Sequence, residues 1–306
     1  MEFKGIGKYN IELKKYSRWK IGGPADFFAE PGNIDQLKAL LNFSRSKNIP
    51  FQVIGDSTNI LFDDKGYRGL IIRLGQNFNK YHIKDDTIEA EAGAWVPCLA
   101  RASANVGLSG LEHTVGIPGT IGGLVIMNGG SLRKSISENI QKVFAIDYSG
   151  KQIVFKKDDC KFQYRRSVFQ NSPYIVYKVE LKLQKANPNV IRNEMLGILE
   201  SRRKKFPLKL PNCGSVFISH PVLYDTFGPP GKIIEDMGFK GYSRGGAAVS
   251  ELHANFIVNK GNATATDIID IVKFIRGSVF EKTNIHMESE IRYLDRSGKI
   301  KFLHEI

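Results

Sequence analysis

The longest apolar stretch of this chain, residues 115–127, is interrupted by Gly116, Pro118, Gly119, Gly122 and Gly123. A bilayer-spanning helix needs about 20 consecutive apolar residues, so this stretch cannot supply one. Glycine instead leaves the backbone bare enough for another group to approach closely and free to adopt positive φ. The stretch therefore predicts a turn-rich, tightly approached segment inside a chain of 306 residues, long enough for two or three packed domains. Hydrophobic residues at 42% and charged residues at 25% are those of an ordinary globular protein. The 44 Lys+Arg against 31 Asp+Glu give a formal charge of +13. These cations are dispersed, the longest cluster being Arg202-Arg203-Lys204-Lys205. Dispersed charge suits the steering of small polyanions as well as nucleic acid.

Cys98, Cys160 and Cys213 are far apart and odd in number, with no CxxC and no Cys/His pair at metal spacing. A zinc site and a disulfide framework are both disfavoured, and a reducing compartment fits. Met1-Glu2-Phe3-Lys4 carries no apolar core of a secretory signal. The expectation is a cytoplasmic protein with no metal, no membrane partner and no nucleic-acid partner.

Asn33 ahead of Ile34, Leu37, Leu40 and Leu41 predicts a capped amphipathic helix. Phe51-Gln52-Val53-Ile54-Gly55 and Gly69-Leu70-Ile71-Ile72-Arg73 read as buried strands. From Tyr81 to about Leu183 short alternating strands dominate, such as Thr87-Ile88-Glu89-Ala90-Glu91, interrupted by one helix starting at Pro97 and stopping at Gly107. A third helix follows Asn187-Pro188 through Ile191, Met195, Ile198 and Leu199. A fourth follows Thr266, with Ile268, Ile271, Val272 and Ile275 on one face. The chain reads as α+β, divided into residues 1–80, 81–187 and 188–306, the last strand being a candidate to pack back on the first part.

Three glycine-rich segments stand out: Gly22-Gly23-Pro24-Ala25-Asp26, Gly55-Asp56-Ser57-Thr58-Asn59 and Gly116-Ile117-Pro118-Gly119-Thr120-Ile121-Gly122-Gly123. None is a Walker sequence or a GxGxxG fingerprint in its strand–turn–helix setting. Each alone is a structural turn before it is a phosphate cradle; three together, one directly after a buried strand, point toward a dinucleotide. Ser215, in Asn212-Cys213-Gly214-Ser215-Val216-Phe217, is not in a hydrolase elbow and taken alone is a turn serine. Phe162-Gln163-Tyr164-Arg165-Arg166-Ser167 is either a solvated strand edge or a guanidinium fork aimed at a carboxylate. In Met287-Glu288-Ser289-Glu290-Ile291-Arg292 the two glutamates share one face of an alternating segment. The six histidines show no ligand spacing and read as core or surface residues.

Taken in order, these segments resemble one family, the UDP-N-acetylenolpyruvoylglucosamine reductases. The resemblance rests on Ile21-Gly22-Gly23-Pro24-Ala25-Asp26; Gly107-Leu108-Ser109-Gly110-Leu111-Glu112 with the 116–123 segment; Tyr164-Arg165-x-Ser167; Gly214-Ser215-Val216-Phe217; Val249-Ser250 with His253-Ala254-Asn255-Phe256; and Glu288-x-Glu290-Ile291-Arg292. It covers nearly the whole chain, and the short distance from Tyr164 to Ser215 is similar to the branch without an extra substrate-covering loop. The resemblance implies FAD held between the first two subdomains in a vanillyl-alcohol-oxidase/PCMH-like flavin fold, with a C-terminal α+β domain for the UDP-sugar. It implies NADPH as reductant in a ping-pong cycle that reduces the enolpyruvyl ether of UDP-N-acetylglucosamine to UDP-N-acetylmuramate for peptidoglycan.

Cofactor contacts would then come from Gly55, Asp56, Ser57, Thr58 and Asn59 and from Gly116, Ile117, Pro118, Gly119, Thr120, Gly122 and Gly123. Arg165 and Glu290 would stabilise an aci-carboxylate, Glu290 as a protonated donor whose pKa burial raises, while Ser215 delivers a proton to C2. Tyr164, Arg165 and Lys232 would bind substrate. The chain departs from the family at Ser57, where glycine is usual, at Met127-Asn128-Gly129-Gly130-Ser131, and at Phe217-Ile218-Ser219-His220-Pro221, which lacks the usual Lys and Asn. His220 or Lys232 is a candidate replacement. Two alternatives follow from these departures: a flavin-dependent paralogue for another nucleotide sugar, or an FAD-binding module without turnover. A nucleic-acid binder, suggested by charge alone, ranks behind both and predicts affinity that falls steeply with salt. A monomer or weak dimer is expected.

Overall fold

The computed structural model describes residues 7–219 and 221–306. The Met1-Glu2-Phe3-Lys4 stretch and His220 lie outside the described residues. The chain packs as two compact units, one built mainly of Phe27–Asp56 and Leu70–Arg202, the other of Tyr9–Asp26, Ser57–Gly69 and Arg203–Ile306.

In the first unit the helix Ile34–Ser46 starts where Asn33 accepts a hydrogen bond from the Gln36 N–H at 2.9 Å. Leu37, Leu40 and Leu41 recur on one helical face and are buried. Each such side chain contributes roughly 1.5–3 kcal/mol of burial. They share a core with Leu70, Ile72, Leu74 and Phe78, beside the parallel pairing of Phe51–Ile54 with the strand Tyr67–Arg73, in register Phe51 to Leu70. A five-stranded sheet follows, in the order Gln152–Lys156, Ile140–Asp147, Tyr174–Lys182, Thr87–Glu91 and Tyr81–Lys84. Its neighbouring strands run antiparallel. The helix Val96–Asn105 carries proline in its first turn, and Gly107 beyond its end has φ of +73°. Pro188–Lys205 buries Ile191, Met195 and Ile198 in the core formed by Ile88, Val143, Val179 and Leu181. Residues 188–202 thus pack with the sheet, and the compact units do not coincide with the threefold division read from sequence texture.

In the second unit the helix Ala265–Thr283 opens on a reciprocal capping box. The Asp267 N–H donates to Thr264 Oγ1 at 3.1 Å, and the Thr264 N–H donates to the Asp267 carboxylate at 2.9 Å. Such a cap is worth about 1 kcal/mol. Ile268, Ile271, Val272 and Ile275 are buried as their spacing requires, among Ala247, Val249 and Ile257 of the sheet Ser243–Arg244, Ala247–Val249, Ile257–Asn259. Trp19 is fully buried there, its indole N–H donating to the Ile257 carbonyl at 2.7 Å while Asn259 donates to the Trp19 carbonyl at 2.8 Å. Arg292–Leu294 lies between Ile300–Phe302, antiparallel, and Ile60–Phe62, parallel, in register Arg292 to Ile60. No helix among the described residues is long and apolar enough to cross a membrane.

Candidate active site

Gly55 ends the Phe51–Ile54 strand, and a Cβ placed on it would overlap Thr120 Oγ1. The two glycine-rich segments therefore meet at a distance only glycine permits. Thr120 caps the six-residue helix Ile121–Ile126 with its side chain accepting from the Gly123 N–H at 3.4 Å. Gly122 is buried with the side chain of Ala92 2.7 Å from where its Cβ would sit. Gly119 takes φ of +144°, and its carbonyl accepts from the Val96 N–H. Pro118 and Gly123 are exposed, while Gly116 and Ile117 are half-buried. Asp56, beside Gly55, accepts from Arg73 at 2.5 Å, and the same guanidinium donates to Glu30 at 2.6 Å, so one cation ties the segment to the neighbouring strand end.

Ser57 occupies the left-handed region, with φ of +51°, and so adopts the conformation for which glycine is usual. It is 3% exposed, and its Oγ has no hydrogen-bond partner among the described residues. The Cβ-free approach of Gly55 to Thr120 within the first unit fits the close backbone that the pyrophosphate of a dinucleotide needs, and the buried, unpaired Ser57 hydroxyl is a donor of the kind such a group takes. Arg202, which in the sequence is only part of a basic cluster, is held at Gly116, where a Cβ would overlap its Cδ. Burial pushes the Arg202 pKa down from its usual value.

Tyr164 and Arg165 form the tip of a two-residue turn, closed by reciprocal 3.0 Å bonds between Gln163 and Arg166. This segment is a turn rather than a strand edge. Arg165 sits at φ of +56°, a left-handed conformation that costs free energy for a side-chain-bearing residue. Asn128 donates to the Gln163 carbonyl at 2.9 Å, and Ser167 to the Ile126 carbonyl at 2.7 Å, pinning the turn to the 121–126 helix. The Arg165 guanidinium donates to the Gly130 carbonyl at 3.4 Å and lies 5.3 Å from the Tyr164 ring centroid.

The half-buried Ser215 lies in the second unit, after Gly214, which takes φ of +81°. Its loop is fastened on three sides. Asn255 exchanges two 2.9 Å bonds with the Phe217 backbone, and the Asn255 carbonyl accepts from the Val216 N–H at 2.8 Å. The Val216 carbonyl accepts from the Glu290 N–H at 2.8 Å and from Ser289 Oγ at 3.1 Å. Cys213 is buried with its thiol pKa pushed up to about 12, so it stays protonated and donates to the Ser57 carbonyl at 3.6 Å. Glu288 and Glu290 are half-buried and Ser289 and Ile291 buried, preserving the expected alternation. Regular strand begins only at Arg292, because Ser289 Oγ takes the Ile291 N–H at 3.0 Å and diverts the backbone.

Asn59 donates from its side chain to the Glu290 carbonyl at 3.0 Å, while its own carbonyl accepts from the Arg292 N–H at 3.1 Å. Ser215, Glu290 and the 57–59 residues are thus drawn together within one unit. Tyr164 and Arg165 belong to the other. Lys232 is exposed, with its ammonium paired to Asp236 on its own helix at 2.8 Å. The pairing role of Asn255 is not legible in the sequence beyond a lone amide between Ala254 and Phe256 ahead of an apolar run. Among the described residues no group of three His, Cys, Asp or Glu is placed to hold a metal.

His113, 1% exposed in the 107–123 stretch, has its pKa held down by burial, against the pull of Glu138. The unfolded chain takes up this proton from about pH 6.5 downward while the folded chain resists it. Stability from this group is present above that pH and lost as pH falls through the window below it. The urea midpoint should drop between about pH 7.5 and about pH 5.5, and the drop should be smaller in His113→Phe. An equal drop in both proteins rejects this role.

Two family models match the chain: an FAD binding domain over residues 25–156, and the C-terminal domain of UDP-N-acetylenolpyruvoylglucosamine reductase over residues 206–294. A UDP-N-acetylenolpyruvoylglucosamine reductase of Corynebacterium glutamicum is 47% identical over 97% of this chain and 88% of its own length. One from Syntrophomonas wolfei is 39% identical over 93% of this chain and 94% of its own. The crystal structure of the Thermus caldophilus UDP-N-acetylenolpyruvylglucosamine reductase superposes with a TM-score of 0.80 at 30% identity, covering 94% of this chain and 98% of that one.

Proposed function

The chain belongs to the UDP-N-acetylenolpyruvoylglucosamine reductase family, and on that premise we propose how its own residues carry the reaction. The protein is an FAD-dependent oxidoreductase of the α+β flavin fold that uses NADPH to reduce UDP-N-acetylglucosamine enolpyruvate to UDP-N-acetylmuramate, a step of peptidoglycan synthesis. FAD held by this chain would supply the hydride for C3 of the enolpyruvyl ether, with NADPH as the source of reducing equivalents. The 55–59 and 116–123 segments hold the cofactor, glycine and the Ser57 hydroxyl admitting its pyrophosphate.

Hydride addition at C3 sends charge through C2 into the adjacent carboxylate. Arg165 offers that carboxylate a guanidinium fork, and Glu290 in its protonated form donates a hydrogen bond to it. Ser215 Oγ gives its proton to C2, a transfer that a weak acid can make only because the acceptor is carbanion-like. Tyr164 and Lys232 complete the substrate contacts. The observation that carries this reading is the 2.8 Å bond from the Glu290 N–H to the Val216 carbonyl, which supports a proton donor and a carboxyl group acting on neighbouring atoms of one substrate. The protein works in the cytoplasm as a monomer or weak dimer, without nucleic-acid or membrane partners, a reading supported by the dispersion of its cations. The FAD subdomains are 1–80 and 81–187, and the substrate domain 188–306.

An anaerobic absorbance titration tests this. The yellow protein should bleach with NADPH and recolour with UDP-N-acetylglucosamine enolpyruvate. Bleaching without recolouring reassigns the protein to another nucleotide sugar, which the Ile218-Ser219 departure would then explain. A colourless protein that cannot be reconstituted with FAD overturns the reading.

A further inference from the structure

We propose that Asn59, besides its place in the cofactor segment, is a positioning residue for Glu290: its side-chain amide fixes the backbone from which that carboxyl projects, a role resting on the reading of Glu290 given above. Glu290 lies just before the regular strand Arg292–Leu294. Its N–H is taken by Val216 at 2.8 Å, and its carbonyl by Asn59 Nδ2 at 3.0 Å. Asn59 is held in turn, because the Arg292 N–H donates to the Asn59 carbonyl at 3.1 Å. The two bonds bracket Glu290 from both sides of a closed ring formed by residues 59, 290, 291 and 292. Ile60 and Arg292 then continue as partners in the parallel ladder.

Chemistry specifies the residue type. The Glu290 carbonyl is an acceptor, so its partner has to be a donor of asparagine length. Aspartate has the same shape but would turn lone pairs on that carbonyl. Serine is too short to span the gap. Freed of this bond, the Glu290 backbone gains play, and a carboxyl that must meet a developing charge loses alignment. The reductive half-reaction does not use that carboxyl, so the loss of alignment falls on reoxidation.

The test uses the FAD-loaded full chain, with the two half-reactions followed separately by stopped flow. Asn59→Asp should slow flavin reoxidation by the enolpyruvyl substrate about tenfold more than it slows reduction by NADPH. Asn59→Ser should show the same selective loss without an added charge. In a Glu290→Gln background, already impaired in reoxidation, Asn59→Asp should add little further loss, because the group being positioned is gone. Equal slowing of both half-reactions, full additivity with Glu290→Gln, or loss of FAD from both variants assigns Asn59 to flavin seating or folding and overturns the proposal. Wild-type protein that is reduced but never reoxidised by the substrate defeats the assigned reaction instead, so the two failures are distinguishable.

Discussion

Replacing Ser215 by alanine should slow reoxidation of the reduced flavin by the enolpyruvyl substrate by about 10²–10⁴-fold, the range a positioned general acid supplies, and leave bleaching by NADPH unchanged. The structure makes this substitution unusually clean. Residues 216 and 217 are held by Asn255, by the Ser289 hydroxyl and by the Glu290 N–H, and Cys213 is anchored on the Ser57 carbonyl. None of these bonds uses the Ser215 hydroxyl, so alanine removes a proton and little else. Cysteine at 215 keeps a donor and should recover part of the rate. If Ser215→Ala slows both half-reactions equally, the hydroxyl is not the proton donor.

Gly55→Ala should yield protein purified with little or no FAD. The added methyl would overlap Thr120 Oγ1, on a side chain that is stiff at χ1 and fixed by its helix cap. Relief therefore requires Gly55 and Thr120 to separate, which opens the proposed cradle. The ratio of visible flavin absorbance to protein absorbance reads the result directly. Combining Gly55→Ala with Thr120→Ala removes the overlapping atom and should restore part of the flavin. Gly197→Ala is the control: it lies in the helix Pro188–Lys205 with nothing within 4 Å of the place its methyl would take, and it should stay yellow and gain roughly 0.5–1 kcal/mol. Full FAD content in Gly55→Ala would detach this approach from cofactor binding.

Where the fold could be read from sequence, a local cause was present. The helix at 34 announced itself through the Asn33 cap and the spacing of Leu37, Leu40 and Leu41. The long helix near the C-terminus did so through Ile268, Ile271, Val272 and Ile275. The short helix Ile121–Ile126 was hidden because glycines on both sides of it signal loop, and only its Thr120 cap betrays it. The turn at Tyr164 and Arg165 could not be foreseen, since nothing local tells that an arginine will be held at φ of +56°. Domain limits rest on weaker local signals. Periodicity reports which face of an element is buried, but not which distant core receives it, and Ile191, Met195 and Ile198 enter a core set by strands earlier in the chain. Ser215, Arg165 and Glu290 stand out in the sequence only as members of an ordered set of motifs, and their roles remain proposals. Asn255 and Arg202 act through partners 38 and 86 residues away (Phe217 and Gly116), beyond any local window.

The interleaving of the chain between its units has a consequence for synthesis on the ribosome. Residues 9–26 and 57–69 are made early, yet their unit is otherwise Arg203–Ile306. The Trp19 indole donates to a carbonyl 238 residues further along, and the Ile60–Phe62 strand pairs with Arg292–Leu294. The whole 70–202 stretch must emerge, and is free to fold, before either finds its partner. Until then a tryptophan and an apolar strand edge are exposed on the nascent chain, the kind of surface that chaperones bind and that drives aggregation. Slow closure of such distant contacts predicts that expression yield depends on folding assistance more than on final stability. It also means that a fragment beginning at Arg203 lacks strands and core residues of its own unit, so the C-terminal third should not fold as an independent domain.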